Sequence, residues 1–100
     1  KTKKNWKKLL EVTKSWTEKE TLNTEAWYEL GFANEKLEKN NAAMVAYEES
    51  IRLDKNNSDA LYRLALMLKI NGDLKKVNEI QKILNIIDVN KAYELKNHKT

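Results

Sequence analysis

Apolar residues recur along this chain at steps of three and four, in runs separated by short polar stretches. Over residues 5–19, Trp6, Leu9, Leu10, Thr13 and Trp16 share one face while Lys7, Lys8, Glu11, Lys14 and Glu18 lie mostly outside it, which predicts an amphipathic helix. A second helix is predicted over 24–38, with Thr24 as its cap and Ala26, Trp27, Leu30, Ala33, Asn34 and Leu37 inside. Gly31 sits in its middle, where glycine costs about 1 kcal/mol relative to alanine unless close packing uses the missing side chain. Another helix is therefore expected to press on Gly31. After a turn at Lys39-Asn40-Asn41, a third helix over 41–54 buries Ala43, Met44, Tyr47 and Ile51. Lys55-Asn56-Asn57 ends it, and Ser58 caps a fourth helix over 58–70 that buries Ala60, Leu61, Leu64, Ala65 and Leu68. The turn Asn71-Gly72-Asp73 precedes a fifth amphipathic run through Leu74, Val77, Ile80, Gln81, Leu84 and Ile87. Asp88 caps a short sixth helix with Ala92, Tyr93 and Leu95, before a polar tail expected to fray.

The pattern is periodic. Trp27, Leu61 and Leu95 are 34 residues apart, as are Leu9, Ala43 and Val77, and Glu20, Asp54 and Asp88. The pairs Ala26/Ala60, Tyr28/Tyr62, Leu30/Leu64 and Asn56/Asn90 keep the same step. Such self-similarity marks a stack of helix-turn-helix units in which each repeat covers its neighbours.

A 34-residue helix pair with Trp27, Leu30, Gly31, Ala43 and Tyr47 in these places resembles the tetratricopeptide repeat. Residues 58–91 carry Leu61, Leu64, Ala65 and Val77 at the matching places, with Gln81 and Leu84 where the family has an aromatic and a small residue. Thr21, Lys55 and Val89 stand where the family places proline, so helix ends there are expected to extend or fray. The resemblance implies an all-α fold, an α-solenoid of antiparallel helix pairs stacked with a right hand, holding about two repeats plus flanking helices. The expected layout is one domain: a lysine-rich arm and half-repeat helix over 1–22, a first repeat over 23–57, a degenerate second over 58–91, and a capping helix and tail over 92–100.

The resemblance further implies a partner-binding groove lined by the first helix of each pair. Carried onto this chain, its contact places are Glu25, Tyr28, Phe32, Glu35 and Lys36, then Asp59, Tyr62, Leu66, Lys69 and Ile70, with Arg63 beside them. Tyr28, Phe32, Tyr62, Leu66 and Ile70 also fall off the inner stripes, so apolar side chains gather on a second face, suited to a guest or to packing against the N-terminal helix. Members of the family that clamp a C-terminal carboxylate use Lys and Asn where this chain has Tyr28 and Phe32, which disfavours that mode. An aromatic groove edged by Lys36, Arg63 and Lys69 instead suits a segment with apolar anchors and an acidic flank.

Composition narrows the chemistry. The 100 residues carry a net charge of +4, but Lys1, Lys3, Lys4, Lys7 and Lys8 come with no acid among them, and the other 92 residues hold 14 basic against 15 acidic side chains. That body has no basic excess to follow a phosphate backbone, so nucleic acid is not an expected partner. The lysine arm reads as flexible, with contact to an acidic surface as the alternative. Trp6, Trp16 and Trp27 lie on apolar stripes and read as core rather than as platforms for bases. With no cysteine, a lone His98 in the polar tail, and the carboxylates of Glu48, Glu49, Glu35 and Glu38 on exposed faces, neither catalysis, a cofactor nor a metal site is expected. No apolar run approaches the ~20 residues that cross a bilayer. The chain is expected to be soluble, in the cytoplasm rather than the periplasm or outside the cell, and its first residue being Lys rather than Met is read as a start that was cut away or processed. The function expected is a non-enzymatic scaffold that binds a protein or peptide segment. The alternative is an assembly module in which the Trp-bearing first helix packs on a second copy, as a homodimer, or on an upstream domain.

Overall fold

The computed structural model describes residues 5–98; Lys1, Lys3 and Lys4 of the expected arm and the last two residues of the tail lie outside that range. The described residues form six helices: α1 (Trp6–Lys19), α2 (Thr24–Lys36), α3 (Asn40–Leu53), α4 (Ser58–Ile70), α5 (Leu74–Ile87) and α6 (Val89–Asn97). α1, α3 and α5 are each 14 residues long, and α2 and α4 are each 13. Their starts follow the 34-residue step of the apolar pattern. Each helix packs on the next in sequence, and α6 also packs on α4, so the chain is an all-α helical repeat held by neighbour contacts.

Two clusters make the core. The larger joins α3 to α6 through Tyr47, Leu61, Leu64, Leu84 and Leu95, and burial of each such side chain stabilises by roughly 1.5–3 kcal/mol. The smaller joins α1, α2 and α3 through Leu10, Leu30, Ala33 and Ala46, with Leu9, Trp27 and Leu37 partly covered beside it. Leu30, Gly31, Ala43, Tyr47, Leu61, Leu64, Ala65 and Val77 are buried as their stripe positions require. Trp27 is only half-buried, and so are Trp6 and Trp16. The indole of Trp27 lies at the rim of the smaller cluster, where Nε1 donates to the Thr21 carbonyl at 2.9 Å, a partner that a fully enclosed indole would have had to find inside the core.

Helix starts sit one residue from the expected caps. Asn23 and Asn57, not Thr24 and Ser58, accept the amides of Ala26 and Ala60, both at 3.1 Å. Asparagine and the hydroxyl residues cap about equally well, and the residue that is not needed as a cap bonds across to another element. Thr24 Oγ1 donates to the Ser50 carbonyl at 2.8 Å, and Ser58 Oγ donates to Asp88 Oδ2 at 2.7 Å. Asp88 caps α6 as expected, accepting the Lys91 amide at 3.0 Å. α6 starts at Val89, earlier than the starts of α2 and α4 in the 34-residue register, so a single residue joins it to α5. That early start brings Lys91 onto a helix packed against α4.

Candidate protein-interaction site

The side chains that α2 and α4 present outside the core converge on the ring of Phe32. Trp6 of α1 meets it edge-on with centroids 5.7 Å apart, and Tyr28, one helical turn back, stacks at 6.4 Å. The Lys36 ammonium stands 5.2 Å from the Phe32 centroid and 5.8 Å from that of Trp6. Arg63 lays its guanidinium 5.0 Å from the same ring. A cation within about 6 Å of an aromatic face is attracted by the ring quadrupole, so Lys36 and Arg63 both help to hold the Phe32 ring.

Beneath this row lies a polar strut. Tyr47 Oη donates to Glu35 Oε1 at 2.6 Å, and Arg63 Nη1 lies 3.5 Å from Glu35 Oε2. One carboxylate thus ties α3 and α4 to α2. Burial pushes the Tyr47 phenol far above its ordinary range, and its bond to Glu35 pushes the same way. Burial also raises Tyr28, against the pull of Arg63. The Arg63 charge, opposed by burial, is held by Tyr28 and Glu35 so that its pKa stays above the ordinary value. Tyr28 and Tyr47 stand 5.8 Å apart, which carries the aromatic contact from surface to core.

The residues expected to line a groove divide into three groups. Tyr28, Phe32, Glu35, Lys36 and Arg63 are brought together as described. Asp59, Tyr62 and Lys69 are engaged by α6: Lys91 Nζ lies 3.5 Å from Asp59 Oδ1 and 5.0 Å from the Tyr62 centroid. Lys69 Nζ donates to the carbonyls of Leu95 at 3.3 Å and His98 at 2.9 Å, which closes the end of α6. Lys69, expected at the groove edge, is therefore spent on a helix terminus, where a cation suits the exposed carbonyls. Of the rest, Leu66 is half-buried against the core, Glu25 is exposed, and Ile70 is 74% exposed. Next to Ile70 a small cleft opens between α2, α3 and α4, lined by Glu35, Asn40, Met44, Met67 and Asn71.

Trp6 was expected in the core, yet it extends the aromatic row. Its place at the head of the α1 stripe is the one signal in the sequence that could have suggested this. The Met44–Met67 cleft carried no such signal, since both methionines follow ordinary core spacing. Among the described residues no group of His, Asp or Glu side chains is arranged to hold a metal ion, and no helix is long and apolar enough to cross a membrane. His98 is exposed just past α6.

Two family models for the tetratricopeptide repeat match the chain, one over residues 24–57 and one over 46–77. Their combined reach runs from the start of α2 into α5. A search of curated proteins gave no match.

Proposed function

The chain belongs to the tetratricopeptide repeat family, whose repeats are generally protein-interaction modules, and from that premise we propose that the face centred on Phe32 holds a segment of a partner protein. The observation that carries the reading is the Phe32 cluster: a half-buried aromatic row flanked by the cations Lys36 and Arg63, and continued by exposed Ile70 and the methionine-lined cleft. Rigid aromatics offer contact area at little entropic cost, and methionines adapt to the shape of an anchor. A segment with apolar or aromatic anchors fits this row. An Asp or Glu beside the anchor would meet Lys36, which makes no ion pair among the described residues.

The role is binding rather than catalysis, with no cofactor. Selection from a displayed library of random peptides tests it. Enriched sequences should share an apolar or aromatic anchor next to an acid. They should lose binding to a chain carrying Lys36→Glu and Ile70→Asp, both exposed positions; the substituted chain should keep its helical circular dichroism, with a melting temperature lowered by no more than the loss of the Lys36 cation–π contacts accounts for. A library that enriches nothing, or binding that survives both substitutions, overturns the reading.

A further inference from the structure

α1, α3 and α5 occupy one register, and among the described residues one face of α1 in that register is only partly covered. Ala43, Ala46 and Ser50 of α3 are 0–1% exposed, and Val77, Ile80 and Leu84 of α5 are at most 7% exposed. α2 and α4 cover them: Ala46 packs with Leu30 and Ala33, Ser50 bonds Thr24, and the α5 residues pack with Leu61, Leu64 and Leu68. At the same three places α1 carries Leu9, Val12 and Trp16. Here Val12 is 52% exposed while Leu9 and Trp16 are half-buried, although all three are as apolar as their counterparts. The stripe at i, i+3 and i+7 is the face on which a first helix of a pair would lie.

Charge says what suits it. Lys8 and Lys19 continue the Val12 stripe one turn before and two turns after it, both are exposed, and neither makes an ion pair among the described residues. Glu11 and Glu18 lie further round the helix. A second copy of α1 laid on this face would oppose Lys8 to Lys8 when parallel and Lys8 to Lys19 when antiparallel, and like charges in either arrangement disfavour self-pairing. We propose that this face of α1 docks an amphipathic helix of a partner protein, apolar along one stripe and carrying Asp or Glu at its flanks, which completes the first helix pair. This surface is separate from the Phe32 cluster and does not rest on that cluster's reading.

The probe is a side-chain-stapled helix with leucines at i, i+3 and i+7 flanked by glutamates, compared with the same helix flanked by lysines. With isotope-labelled full chain, the acidic helix should shift the amide signals of Leu9 and Val12 and the indole signal of Trp16, and leave Phe32 and Ile70 unmoved. Lys8→Glu with Lys19→Glu should weaken it roughly tenfold and reverse the preference between the two helices. Added salt should weaken binding to the unaltered chain. Val12→Asp, at an exposed position, should abolish binding with the melting temperature unchanged. The proposal fails if neither helix binds, if both bind equally, or if the shifts fall on Phe32 and Ile70. It also fails if light scattering shows a dimer that Val12→Asp dissociates, since the face would then belong to a second copy.

Discussion

Gly31 of α2 lies against the ring of Tyr47 of α3 so closely that a Cβ built on its backbone would stand 2.6 Å from both Cδ1 and Cε1. The ring cannot yield, because Tyr47 is fully buried and its hydroxyl is tied to Glu35. Gly31→Ala, which would raise helix propensity by about 1 kcal/mol on an exposed helix, should here lower stability by about 1–3 kcal/mol through overpacking. Urea unfolding of the single variants and the double variant checks the cause. Tyr47→Leu should cost less in the Gly31→Ala background than alone, since the smaller side chain relieves the clash.

The turns that close α2 and α4 share one hydrogen-bond pattern but not the residue suited to it. After α4, Gly72 takes φ +82°, with its amide on the Lys69 carbonyl and that of Asp73 on the Leu68 carbonyl. After α2, 34 residues earlier, Glu38 takes φ +60°, with its amide on the Glu35 carbonyl and that of Lys39 on the Asn34 carbonyl. This is the helix-ending motif in which glycine avoids the Cβ penalty of left-handed backbone. Glu38→Gly should therefore stabilise by about 0.5–1 kcal/mol, and Gly72→Ala should destabilise by about 1 kcal/mol, read as opposite shifts of the denaturation midpoint.

Ser50 stands where the family has a small apolar residue, yet it anchors a polar junction of α2, α3 and α4. Its Oγ donates to the Thr24 carbonyl at 2.9 Å and accepts from Asn57 Nδ2 at 2.9 Å, and Asn57 also reaches Thr24 Oγ1 at 3.0 Å. Among the described residues no buried side-chain polar atom lacks a partner. Ser50→Ala would match the family pattern but remove bonds made by a fully buried hydroxyl, so it should cost about 1–2 kcal/mol. A stability unchanged within error would show that Asn57 and Thr24 satisfy each other without it.

The helices, their order and the close approach of another helix to Gly31 were legible, the first two from apolar spacing at one period. Trp27, Leu61 and Leu95 announced the register, and a mid-helix glycine has few uses other than close approach. The interaction face was legible only in part. Tyr28, Phe32 and Arg63 could be placed off the core stripe, but the contacts of Asp59, Tyr62 and Lys69 depend on where α6 starts. Val89 set that start by continuing the chain straight from Asp88 into helix, and so brought Lys91 to Asp59 and Tyr62. The caps shifted by one residue because Asn-Thr and Asn-Ser each offer two good caps in a row, and only tertiary bonds to Ser50 and Asp88 choose between them.

Asp88 should make α6 the acid-sensitive element of the fold. Its carboxylate accepts from Ser58 Oγ and from the Lys91 amide, and these bonds, that from Ser58 foremost, hold its pKa below the ordinary carboxylate value. A depressed folded-state pKa means that the contribution is fully present above the unfolded value, about 3.9, and is lost as pH falls through the lower folded value. Titrating the chain from about pH 6 to about pH 2 should move the Lys91 and Ala92 amide signals with a midpoint below 3.9. Once Asp88 is protonated, α6 should loosen while α2 and α3, which meet through apolar packing and the Thr24–Ser50–Asn57 bonds, stay protected from hydrogen exchange. Because Lys91 covers Tyr62 and pairs with Asp59, the Tyr62 ring signals should shift in the same titration. Asp88→Asn lacks the charge at every pH, so it should remove this low-pH step and leave α6 already loosened at neutral pH. A midpoint at or above 3.9, or a Tyr62 shift that persists in Asp88→Asn, would show that the carboxylate does not hold α6 in place.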